Sequence, residues 1–145
     1  MIVTFFGHRD TPAEVYSALL VAITDLIENH GADVFFVGSE GNFDIMARRI
    51  LRMLSKEYPH IKYSVMLAYY PKEYDVEKEI DTCILECLID VPKRYAIDKR
   101  NRWLIESSQT VVTYVKHSYG GAAKFKSLAE KKGKQIIELS NKGSI

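Results

Sequence analysis

Three glycine-bearing polar stretches carry residue types that handle anions: Gly7-His8-Arg9-Asp10, Gly38-Ser39-Glu40-Gly41-Asn42-Phe43-Asp44 and His117-Ser118-Tyr119-Gly120-Gly121. Glycine lets a backbone N–H approach a ligand closely, and a helix that starts just beyond it turns unpaired N–H groups and partial positive charge towards a phosphate. Arg9, directly after a strand-ending glycine, is placed for a bidentate grip on such a group. Glu40 and Asp44 read equally as acceptors for a ribose and as carboxylates stabilising a helix start. His8 and His117 offer hydrogen bonds to a ligand or serve as hydrogen-bonded loop histidines. Neither the Gly-x-Gly-x-x-Gly dinucleotide fingerprint nor the P-loop pattern is present, so no stretch is diagnostic alone.

The elements that must position these stretches are legible from periodicity. Ile2 to Phe6, Asp33 to Val37, Tyr63 to Ala68, Thr110 to Val115 and Gln135 to Leu139 are short apolar, β-branched or aromatic runs that read as strands. Helices are expected between them. Thr11-Pro12-Ala13-Glu14 has the capping-box pattern, followed by Val15, Leu19, Ile23 and Ile27 at helical spacing, with Gly31 as the stop. Phe43, Met46, Ile50 and Leu54 form a second apolar stripe ended by Pro59, and Arg48, Arg49 and Arg52 read as its solvated face. Further helices are predicted over Asp98 to Ser107 and Ala122 to Lys132. Residues 69–91 read as a loop followed by a short helix, which would place Cys83 and Cys87 on one face. Strands alternating with helices, without hairpin signals, predict one Rossmann-like three-layer α/β domain. Its sheet of about five mostly parallel strands has helices on both faces. The domain spans residues 1–140, and 141–145 form a polar tail. In a parallel sheet the three polar stretches share the carboxyl edge, where open α/β sheets bind ligands.

Composition narrows the class. The 145 residues are 47% hydrophobic and 27% charged, with 20 Lys+Arg against 19 Asp+Glu. This near-neutral balance supplies no general field for nucleic acid, and partners of that kind are disfavoured. The apolar start, Met1 to Phe6, runs straight into a polar turn, so neither a signal peptide nor a membrane span is expected, and the chain reads as cytoplasmic. Cys83 and Cys87 read as free, buried or half-buried thiols, because His8, His30, His60 and His117 are scattered and no further ligand stands at metal-site spacing. No metal and no obligatory cofactor are expected. A homo-oligomer remains compatible with the apolar helix faces.

Four motifs together resemble the bacterial SLOG superfamily, in particular its YpsA-like branch: Thr4-Phe5-Phe6-Gly7-His8-Arg9; Val37-Gly38-Ser39-Glu40-Gly41-Asn42-Phe43-Asp44; Arg94-Tyr95-Ala96-Ile97-Asp98-Lys99-Arg100-Asn101; and His117-Ser118-Tyr119-Gly120-Gly121-Ala122-Ala123. The resemblance covers nearly the whole chain. It implies a Rossmann-like fold akin to the LOG phosphoribohydrolases and the DNA-processing protein DprA, and a role in binding or sensing nucleotide-derived ligands. The LOG hydrolases carry a Pro-Gly-Gly-x-Gly-Thr motif followed by a catalytic glutamate. Here the aligned stretch is Tyr119-Gly120-Gly121-Ala122-Ala123-Lys124-Phe125-Lys126-Ser127, with the third glycine, threonine and glutamate absent. Arg100, ahead of Arg102, matches that family's functional arginine, and Asn101 stands beside it. The expected function is therefore binding or sensing of a phosphorylated, nucleotide-derived small molecule. Arg9, Arg100, Gly120 and Gly121 would hold phosphate, and Gly7, His8, Gly38, Ser39, Glu40, Gly41, Asp44, Asn101 and His117 would complete the site. A nucleotide N-glycosidase recruiting Glu40 or Asp44 is the alternative, and DprA-like nucleic-acid handling the second alternative.

Overall fold

A computed structural model describes residues 1–69 and 81–140; the expected loop across 70–80 and the polar tail 141–145 lie outside the described residues. Its strands are β1 (Ile2–Gly7), β2 (Val34–Val37), β3 (Lys62–Leu67), β4 (Thr82–Ile84), β5 (Thr110–Tyr114) and β6 (Gln135–Glu138). All pair in parallel, in the order β4-β3-β2-β1-β5-β6. Four helices of eleven or more residues accompany them among the described residues: α1 (Val15–Asn29), α2 (Gly41–Glu57), α3 (Lys93–Ser107) and α4 (Gly121–Lys131).

The chain steps one way across the sheet from β1 to β2 to β3 and the other way from β5 to β6. Right-handed crossovers therefore place α1 and α2 on one face, α3 and α4 on the other. The packing agrees. Leu19 and Ile23 of α1 and Phe43 and Ile50 of α2 share a core with Val3, Phe5 and Phe35, whereas Leu104, Ile105, Phe125 and Ala129 pack against Phe6 and Val111. Each fully buried Val, Leu, Ile or Phe among them contributes roughly 1.5–3 kcal/mol. The result is a three-layer Rossmann-like domain, and no helix among the described residues is long and apolar enough to cross a membrane.

Four local expectations are corrected. The sheet has six strands rather than about five, because Thr82-Cys83-Ile84 pairs with Val65-Met66-Leu67 as β4. Cys83 thus lies on a strand and Cys87 in a short 3-10 turn (Glu86–Leu88), both exposed rather than aligned on one buried helix face. So short an apolar run fits either periodicity, and pairing decided it. The Thr11 capping box does not form: the Thr11 hydroxyl donates to the His8 carbonyl at 2.5 Å, a turn closes over Pro12, and α1 begins only at Val15. Helix α3 starts at Lys93, ahead of the expected Asp98: Lys93, Arg94 and Tyr95 are exposed and Ala96 is the one buried residue of the added stretch, so no apolar stripe marks it. Arg48 and Arg52 do not lie free on the face of α2: both reach Asp81, which also accepts the Tyr63 hydroxyl at 2.9 Å.

Candidate functional site: the crevice between β1 and β5

Between β1 and β5 the connections diverge, α1 leaving for one face and α4 for the other, which opens a crevice at the carboxyl edge. Gly7 lies in register with Tyr114, and the His8 N–H reaches the Tyr114 carbonyl at 3.3 Å. Beyond them lies a cavity of about 400 Å³, a volume within the range of small-molecule sites. Gly7, Gly38 and Gly120 all border it: Gly7 ends β1, Gly38 directly follows β2, and Gly120 stands in the loop after β5, immediately ahead of α4. Of the residues singled out in the sequence, all line this cavity except Ser39 and Gly41. Sequence reasoning missed Ile97, Leu104 and Phe125, the apolar part of the wall, whose helical spacing looks like that of any core residue. It also passed over Tyr119, 72% exposed at the rim.

The glycines serve different ends. A Cβ on Gly7 would come within 2.2 Å of the Phe43 ring, and one on Gly38 within 2.8 Å of Asp44 Oδ2. Gly41 has φ +85 and passes so close to Arg9 that a Cβ would meet its Cα at 2.6 Å. These three let α2 close onto the β1 loop. The Asn42 N–H donates to the Arg9 carbonyl at 2.8 Å, so the start of α2 is occupied by protein. At the start of α4 the situation is reversed. Gly120 has φ 92 and ψ 176, a conformation essentially reserved for glycine. No side chain caps the helix, and a Cβ on Gly120 or Gly121 would meet nothing within 4 Å.

Arg100 is 3% exposed and uses every donor it has. Its Nη2 reaches Glu40 Oε2 at 2.6 Å and Asn101 Oδ1 at 2.9 Å, Nη1 reaches Ser39 Oγ and the Met66 carbonyl, and Nε reaches Asn101 Oδ1. Arg100 therefore ties α3 to the end of β3 and to the β2–α2 loop. Arg102, the weaker match, pairs with Asp98 on the surface at 2.7 Å. Because Asn101 Oδ1 accepts from Arg100, its amide N–H₂ must turn the other way. Asn101 lines the cavity, and its Nδ2, accessible from it, has no partner among the described residues. Arg9 also borders the cavity, and its guanidinium makes no ion pair with the described residues.

Two titratable groups are displaced from their ordinary ranges. Burial pushes the Asp44 carboxyl up to about 7, against the pull of the Glu40 N–H and the Arg100 guanidinium. Part of Asp44 opens on the cavity, but its carboxylate lies tight against Gly38 and accepts the Glu40 N–H at 2.9 Å. Burial and the neighbouring His117 lower the His8 pKa. Its Nε2 accepts the N–H groups of Lys116 (2.8 Å) and His117 (3.2 Å), an arrangement that protonation of Nε2 would set against two donors. The neutral ring carries its proton on Nδ1.

No protein-family model matches the chain, and no curated protein matches it in sequence. Among solved structures it is similar to the X-ray structure of DNA processing protein A (DprA) from Streptococcus pneumoniae, with a TM-score of 0.68 and 14% identity. The match covers 94% of this chain and 49% of that one, so the chain spans about half the length of DprA. The likeness is one of fold, a DprA-like Rossmann-like arrangement.

Proposed function

We propose that this chain binds a phosphorylated, nucleotide-derived small molecule in the crevice between β1 and β5. The observation that carries the reading is a convergence of unengaged donors on one cavity. The uncapped start of α4 and the unpaired Arg9 guanidinium suit a doubly negative group. Asn101 Nδ2, held in orientation by Arg100 and accessible from the cavity, is a further donor without an acceptor among the described residues. The YpsA-like motifs support the same reading. Arg100, fully occupied by Glu40 and its neighbours, shapes the site, and the phosphate grip falls to Arg9, Gly120 and Gly121.

The test is a thermal-shift and calorimetric screen of AMP, ADP, ADP-ribose, NAD and cyclic nucleotides against the wild type and Arg9→Ala. A ligand at 100 times its dissociation constant adds about 2.7 kcal/mol, a melting shift on the order of several degrees. Arg9→Ala should lose most of that shift. No response to any phosphorylated ligand, or equal responses in both proteins, overturns the assignment.

A second reading, nucleic-acid handling, is favoured by the fold likeness to DprA. It predicts binding to single-stranded DNA that weakens steeply with salt. A third, N-glycosidase activity, draws on Asp44, since a carboxyl held near 7 on a cavity wall suits proton transfer at neutral pH. Release of free base from AMP at on the order of 1–1,000 per second, abolished by Asp44→Asn, would replace binding with catalysis.

A further inference from the structure

We infer that the open face of Tyr119 is a stacking subsite for the nucleobase of the ligand, and that the site therefore prefers purine nucleotides to sugar phosphates. The inference rests on the phosphate reading above and adds to it where the base lies.

A ladder of rings runs from the core to the cavity rim. Tyr114, 5% exposed at the end of β5, meets His8 edge-on, with centroids 6.1 Å apart and planes at 85°. His8 lies 4.7 Å from His117, and His117 stacks on Tyr119 at 5.1 Å with the planes only 16° apart. These spacings are those of attractive aromatic pairs. The inner end is fixed, because two backbone N–H groups hold His8 Nε2. The outer end is open, because Tyr119 is 72% exposed although one of its faces is covered by His117.

Tyr119 precedes Gly120 and Gly121 directly, so a phosphate at the start of α4 lies within a nucleotide's length of the ring. A tyrosine already stacked on one face has lost much of the rotamer freedom that binding would otherwise remove. Nucleobases stack on such rings whatever their hydrogen-bonding edges. A purine covers more of the ring than a pyrimidine does, and ribose 5-phosphate has no planar face to offer.

Titration calorimetry of the full chain with AMP, CMP, ribose 5-phosphate and inorganic phosphate, in the wild type, Tyr119→Ala and Tyr119→Phe, decides the matter. The wild type should bind AMP about tenfold more tightly than ribose 5-phosphate, with CMP between them. Tyr119→Ala should bring AMP to within about twofold of ribose 5-phosphate while leaving the sugar phosphate's affinity in place, and Tyr119→Phe should keep the wild-type order. Equal affinities for AMP and ribose 5-phosphate in the wild type overturn the stacking subsite and leave the phosphate site standing. So does a preference for AMP that survives Tyr119→Ala, which would place the base on the inner wall at Ile97 and Leu104. An equal loss for both ligands in Tyr119→Ala also overturns it, since the ring would then act only by shaping the loop. Absence of binding by all four compounds overturns both proposals.

Discussion

At the carboxyl edge of the sheet, the crevice between β1 and β5 and the corner where β5 meets β6 treat a carboxylate in opposite ways. At the corner, Glu138 accepts from the Lys126 ammonium (2.8 Å), the Thr113 hydroxyl (2.6 Å) and the backbone N–H groups of Val115 and Ser140 (both 2.9 Å). Burial alone would raise its pKa, but those four donors overcome it and hold the group at about 2. In the crevice Asp44 accepts one N–H, and burial takes it up to about 7. The corner is closed on itself, so any change there costs stability. The crevice leaves the Arg9 guanidinium, Asn101 Nδ2 and the start of α4 without side-chain partners among the described residues, and, on the proposed function, change there acts first on the ligand.

The largest effect should come from Arg100, the one crevice cation engaged as fully as the groups of the corner. Arg100→Ala leaves Glu40, Asn101 and the Met66 carbonyl without their donor, and breaking a buried ion pair costs about 3 kcal/mol or more. Chemical denaturation should show that loss, whereas Arg9→Ala should fall within about 0.5 kcal/mol of wild type. Equal stabilities for the two variants would dissolve the distinction between engaged and unengaged arginines.

Next is Glu138→Ala, expected to cost about 2 kcal/mol at neutral pH by stranding four donors. Its folded pKa is depressed, so its contribution is complete above the ordinary 4.5 and is lost as pH falls towards 2. Acid denaturation of the wild type should carry that component, and the variant should lack it.

Asp44 should slope the other way. Its folded pKa is raised, so the protonated form supports the fold fully below the unfolded value of 3.8, and that support fades as pH rises through about 7. Asp44→Asn, which mimics the protonated carboxyl, should gain in melting temperature relative to wild type between pH 5 and pH 8. Parallel pH profiles would refute the contrast between the two carboxylates.

The smallest stability effects separate the two glycines of α4. Gly120→Ala forces a side chain into φ 92 and should cost about 1–2 kcal/mol. Gly121→Ala meets no atom and no positive φ, so its melting point should stay within a degree or two while its methyl group weakens binding of a phosphorylated ligand. Unchanged ligand affinity in Gly121→Ala would remove the start of α4 from the site.

Much of this molecule was legible from one-dimensional patterning, for reasons that are local. Apolar runs such as Val3-Thr4-Phe5-Phe6 and stripes such as Phe43, Met46 and Ile50 declare strand and helix because each element must bury one side of itself. The parallel sheet followed from their alternation, and with it the shared edge for Gly7, Gly38 and Gly120. What local patterning misjudged was short or exposed: β4 has three residues, and the start of α3, Lys93 to Tyr95, presents no buried side chain.

The sequence by itself determined which side chains stand at the carboxyl edge, because strand direction is shared and chain order is fixed. Only the tertiary structure decided which of them are engaged. Arg9 and Arg100 are the same residue type, but the Arg100 guanidinium meets Glu40, Ser39 and the Met66 carbonyl from segments far away in the chain, and the Arg9 guanidinium pairs with none of the described residues. Gly41 and Gly121 both open helices, yet one is required by the close passage of Arg9 and the other faces empty space. Engagement depends on distances between segments that sequence neighbourhood does not encode, and in this fold the crossover after β4 sets them by carrying α3 over the sheet to the crevice.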